Sequence, residues 1–90
     1  MIFMVIERFK NRDAASVYRR FRKQGRMVPD GLAYIDSWVE TNFDRCFQLM
    51  ECDDPRLLDD WAAHWQDLVD FEFIPVHRSQ EAAEIMTPLL

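Results

Sequence analysis

The stretch from Asp44 to Asp54, Asp-Arg-Cys-Phe-Gln-Leu-Met-Glu-Cys-Asp-Asp, constrains the fold more than any other. Its centre alternates in type with period two, as a strand with two unlike faces requires. Phe47 and Leu49 point one way; Cys46, Gln48 and Met50 point the other. The second set is neither a plain apolar face nor a solvated one, and it reads as the floor of a pocket or an interface. The stretch ends in Asp53-Asp54-Pro55, a helix start, so it also marks where the next element begins.

Elements on either side follow from local signals. Ile2 to Phe9 is a short apolar strand interrupted by Glu7. Asp13 to Gln24 is a helix capped by Asp13 and closed by Gly25, with Ala14, Val17, Tyr18 and Phe21 on one face. Pro29-Asp30-Gly31 is a turn, and Leu32 to Val39 is a second strand. The preferred hairpin register pairs Trp38 with Cys46, Asp36 with Gln48 and Tyr34 with Met50, which gathers the polar residues on one face. Pro55 to Leu68 is a second helix whose stripe includes Leu58, Trp61 and Trp65. Val69 to Val76 is a last strand, and Pro75 marks it as an edge. Residues 78–90 form a tail in which Ser79 to Met86 make a short helix stopped by Pro88.

The order βαββαβ predicts an α+β fold, the ferredoxin-like plait. In that arrangement residues 1–77 form a single domain. A four-stranded antiparallel sheet carries two helices on one face and leaves the other bare. The bare face is expected to hold Phe3, Val5, Glu7, Tyr34, Asp36, Trp38, Cys46, Gln48, Met50, Glu72 and Ile74. So many large apolar groups on one face predict a homodimer through the sheet.

Met4-Val5-Ile6-Glu7-Arg8-Phe9, Ser37-Trp38-Val39, Arg45 to Cys52 and Asp67 to Glu72 resemble a family of short bacterial domains of unknown function. That family is similar to the dimeric α/β-barrel group. The resemblance covers roughly residues 1 to 77 and is strongest over the Cys46 strand. It implies the same plait, with two bare sheets packed face to face into a barrel. Relatives in the wider group include cofactor-free monooxygenases, muconolactone isomerases and haem-degrading enzymes. Their catalytic residues do not map onto this chain by any motif.

Charge is divided along the chain. Residues 1–26 hold eight Lys and Arg against two Asp and Glu, and the rest hold three against fourteen. In the plait the two helices lie side by side, so the acidic second helix offsets the basic first one. That pairing, and the lack of a sheet aromatic motif, argue against nucleic acid as a partner. No run approaches the roughly 20 apolar residues of a membrane span. A start at Met-Ile-Phe-Met-Val-Ile, without a basic leader, points to a cytoplasmic chain.

Two cysteines six positions apart on one strand stand about 20 Å apart, so both are read as thiols. Cys46 has no histidine placed to activate it, and the two histidines and two cysteines match no metal-ligand spacing. No cofactor is called for. The candidate ligand-binding residues are Glu7, Asp36, Trp38, Cys46, Gln48 and Glu72. The three carboxylates can raise one another's pKa and act as acid and base, unless Arg8 or Arg45 neutralises them. Trp38 serves as a stacking wall or as dimer packing. The functional expectation is a small-molecule pocket in a homodimer, of the cofactor-free monooxygenase or isomerase kind. The alternative is a structural or regulatory dimer whose sheet face serves only association.

Overall fold

The computed structural model describes residues 1–90. It is an α+β fold with strands β1 (Ile2–Phe9), β2 (Ala33–Val39), β3 (Arg45–Glu51) and β4 (Val69–Val76). Three helices accompany them: α1 (Ala14–Gln24), α2 (Arg56–Ala62) and α3 (Ser79–Met86). The strands form one antiparallel sheet in the order β2-β3-β1-β4. The two strands with the most buried side chains, β1 and β3, are the central ones, and β4, with Pro75, is an edge as expected.

The helices begin where the side chains dictate. At α1 the Asp13 carboxylate accepts the Ser16 N–H at 3.1 Å, and the helix closes at Gly25, where φ is 70° and the N–H reaches the Phe21 carbonyl. Only glycine adopts that backbone without a steric cost. At α2 the Asp54 carboxylate accepts the Arg56 N–H at 3.0 Å. This helix stops at Ala62, short of the expected Leu68. The chain continues in tighter turns, with the His64 N–H donating to Trp61 and the Trp65 N–H to Ala62. α3 has the expected bounds, no side chain of it is buried, and a last turn at Thr87–Leu89 contains Pro88.

Both connecting helices pack on one face of the sheet. The core joins Phe3, Val5 and Phe9 of β1, Cys46 and Met50 of β3, Val69 of β4, Val17 of α1 and Leu58 and Trp61 of α2, with Trp65 just beyond. This corrects the expected facing. Phe3, Val5, Glu7, Tyr34, Cys46, Gln48 and Met50 lie on the helix-covered side. Ile2, Met4, Ile6, Phe47 and Leu49 lie on the open side, where Asp36, Trp38, Glu72 and Ile74 were rightly placed.

A bulge corrects the hairpin register as well. Tyr34 faces Met50 as expected, but Ile35 is an extra residue, so Asp36 faces Leu49 and Trp38 faces Phe47. A one-residue slip moves every following side chain to the other face. Asp36 and Gln48 are thus on opposite sides of the sheet.

The basic and acidic segments do lie together. Arg20 of α1 grips Asp67 with two hydrogen bonds of 2.7 and 2.6 Å and also donates to the His64 carbonyl. That pair holds the Asp67 carboxyl down at about 2.

Candidate functional site

The site begins with Glu7. It lies at the centre of β1 on the helix-covered face, opposite Cys46 of β3 and Phe71 of β4, and is only 7% exposed. A carboxylate buried there needs a donor. Gln48, one β3 pair along on the same face and 4% exposed, supplies it: its Nε2 donates to Glu7 Oε1 at 2.5 Å. The amide oxygen of Gln48 in turn accepts from Nε of Arg26 at 3.0 Å. Arg26, Gln48 and Glu7 form one chain from cation to carboxyl, with the amide as spacer.

Arg26 is held at both ends. Its backbone carbonyl accepts the indole N–H of Trp61 at 2.9 Å and of Trp65 at 3.1 Å. Gly25 before it (φ 70°) and Met27 after it (φ 60°) are both left-handed. A non-glycine residue there costs on the order of 1 kcal/mol, and the two turns face the carbonyl to the tryptophans while the side chain reaches β3. The guanidinium lies over the Tyr34 ring at 3.8 Å and near Phe21 at 5.2 Å.

A cleft opens at this chain, between the sheet, α1 and the α2 region. Its volume is about 90 Å³, and Glu7, Phe9, Val17, Tyr18, Phe21, Arg26, Cys46, Gln48, Trp61 and Trp65 line it. One water needs roughly 10–15 Å³ on this measure, so the cleft accommodates several waters or one small ligand. It exists because α1 is lightly packed: only Val17 of that helix is buried, while Tyr18 and Phe21 hang over the opening.

Burial sets the electrostatics. Desolvation raises the Glu7 carboxyl to about 7, against the lowering influence of its Gln48 hydrogen bond and of Arg26. Burial, followed by the neighbouring Glu7 charge, pushes the Cys46 thiol up to about 12, so it is a protonated wall and not a nucleophile. Cys46 and Cys52 are both free and buried. No three His, Cys, Asp or Glu side chains cluster as metal ligands.

Of the six residues singled out from sequence, Glu7, Cys46 and Gln48 meet in the cleft. Asp36, Trp38 and Glu72 lie on the opposite face of the sheet. The cleft is also not the expected space between paired sheets but one beneath the helices. Sequence reasoning passed over Arg26, and it read Tyr18 and Phe21 as ordinary helix packing. Arg26 sits at the end of a basic run after a helix-closing glycine, and nothing local distinguishes it from a solvated charge.

The fold and site together define a small α+β domain with a helix-covered, aromatic-lined cleft and one buried carboxyl at its floor. The chain belongs to the family described as a domain of unknown function (DUF3303), whose model matches residues 1–90. Comparisons with curated proteins and with solved structures find no significant match.

Proposed function

We propose that this domain binds a small organic molecule in the Glu7 cleft and moves a proton on it without a cofactor, working as a homodimer. The observation that carries this reading is the Arg26–Gln48–Glu7 chain opening into the cleft. A carboxyl at about 7 exists in both protonation states near neutrality, which suits a group that must accept a proton and return it. Oε1 of Glu7 is engaged by Gln48, whereas Oε2 has no partner in the chain and is not sealed from the cleft. In the step envisaged, Oε2 takes a proton from a carbon beside a carbonyl. The C–H electron pair passes into the conjugated enolate, and the same carboxyl returns the proton to that carbon or a neighbouring one. Atoms and electrons balance without an oxidant.

The strand order β2-β3-β1-β4, with both connecting helices on one face, supports reading the central elements as a ferredoxin-like plait. The open face then meets a second copy to form a barrel, and Asp36, Trp38 and Glu72 belong to that association surface.

The test is proton exchange. Small planar ketones are incubated with the protein in deuterated water, and label at the α-carbon is followed by NMR. Wild type should catalyse exchange, and Glu7→Gln should lower the rate at least about 100-fold, the scale of a lost general base. An equal rate in the variant, or no catalysed exchange with any compound, overturns the enzymatic reading. The second reading, a non-catalytic dimer, is favoured by the exposed apolar groups of the open face, Trp38 at 52% among them.

A further inference from the structure

We infer that the ligand of the cleft is a small flat carboxylate, an aromatic or conjugated acid, with its carboxylate on the two terminal amino groups of Arg26 and its ring between the aromatic walls. The inference rests on the cleft reading above and adds the class of compound.

The first ground is the state of Arg26. Its Nε is committed to Gln48, yet its two terminal amino groups make no hydrogen bond within the chain and it joins no ion pair. Arg20, Arg45 and Arg56 by contrast each grip a carboxylate through two or more hydrogen bonds. Gln48 bridges Arg26 to Glu7, and Arg26 makes no direct ion pair with that carboxyl. A guanidinium whose Nε and backbone are anchored presents its outer edge in a fixed direction, as bidentate recognition requires.

The second ground is the shape and polarity of the cleft. Seven of its ten lining residues are hydrophobic. Tyr18, Phe21, Trp61 and Trp65 among them are aromatic, a lining that suits a planar ring. A single guanidinium with no lysine and no cradle of backbone N–H groups suits a monoanion with apolar bulk better than a phosphate, which needs more donors.

The experiment uses the full chain with Trp38→Phe, which leaves the emission of Trp61 and Trp65 to report the cleft. Benzoate, its neutral isostere benzamide, non-planar cyclohexanecarboxylate and inorganic phosphate are titrated at constant ionic strength. Benzoate should bind about ten-fold or more tightly than benzamide, the scale of a charge-assisted bidentate contact. It should also bind more tightly than cyclohexanecarboxylate, and phosphate should leave the emission unchanged. Arg26→Gln should remove the preference for benzoate over benzamide, and Arg26→Lys should restore part of it. Circular dichroism checks that each variant is folded, and the wild-type comparison decides the matter should Arg26→Gln not fold. Equal binding of benzamide and benzoate overturns the anion class while leaving the cleft a ligand site. Preference for phosphate overturns it too. Binding of none of the probes at millimolar concentration counts against both the class and the cleft reading.

Discussion

Arg26 and Gln48 are 22 residues apart in sequence and joined by a 3.0 Å hydrogen bond, and that bond decides which way the Gln48 amide faces. With its oxygen held by Arg26, the amide can only present its NH2 to Glu7, so a buried carboxyl always meets a donor. The relation explains how two polar side chains, each under a tenth exposed, sit beneath the helices with no buried side-chain nitrogen or oxygen left without a partner.

Gln48→Leu tests that relation. It keeps the side-chain bulk but removes the donor from Glu7 and the acceptor from Arg26. The expected cost is about 1–3 kcal/mol in urea melts, the penalty of a buried polar group left without its partner. The Glu7 carboxyl should titrate higher than in wild type, because the lost bond was lowering it. NMR titration of the Glu7 carboxyl carbon reads that shift. An unchanged Glu7 titration would show that the amide is not its partner.

The same residues explain which parts of the fold were legible in the sequence. β1, β4, α1 and α3 follow capping, β-branching and proline signals, all of which are local. The facing of the sheet is not local. Phe47 and Leu49 make a cleaner apolar pair than Cys46, Gln48 and Met50, so period-two alternation alone points the wrong face at the helices. What reverses it is a three-residue polar network closed by Arg26 from a loop, which no periodicity reports. The register of β2 failed for a similar reason, since the bulge at Ile35 adds a residue without any glycine or proline to announce it.

Trp61 and Trp65 share one acceptor, so losing the indole N–H of Trp61 alone leaves the Arg26 carbonyl paired. Trp61→Ala should cost about 3–5 kcal/mol, because its side chain is 1% exposed and fills the space between α2 and Phe71. Trp61→Phe should cost much less than Trp61→Ala. The Arg26 carbonyl keeps its bond from Trp65, so that acceptor is never left empty. Denaturant melts of the two variants measure the difference, and equal losses would mean that the indole N–H bond, and not the buried ring, carries the cost.

The thiols give a chemical check on the cleft. Cys46 lines it but is held protonated by burial and by the Glu7 charge. Cys52, just past the end of β3, is 3% exposed, with its own N–H on the Met1 carbonyl. Both should therefore react slowly with a thiol reagent at pH 8 in native protein and at once in denaturant. Glu7→Gln should speed Cys46 by removing the repelling charge, and Cys52 should not respond.

Glu7 also makes a prediction for stability. Its carboxyl rises from its ordinary value of 4.5 to about 7 in the fold. The folded state therefore binds a proton more tightly than the unfolded chain does. This contribution is fully present below pH 4.5 and is lost as pH rises through 7. The shift corresponds to about 3 kcal/mol between those limits. The groups facing Glu7 are Arg26 from the loop, Cys46 and Gln48 from β3 and Tyr18 from α1. None of the titratable ones is expected to change charge in that window, since Cys46 and Tyr18 are both raised from already high values. Asp13, Glu40, Asp54 and Asp67 are lowered by their partners and act in the opposite sense at more acid pH. The informative quantity is therefore a difference. Stability of wild type minus that of Glu7→Gln, measured by urea melts from pH 4.5 to 8, should fall steadily with rising pH. A flat difference would mean that Glu7 titrates normally, and the proton-transfer role proposed for it would go with that result.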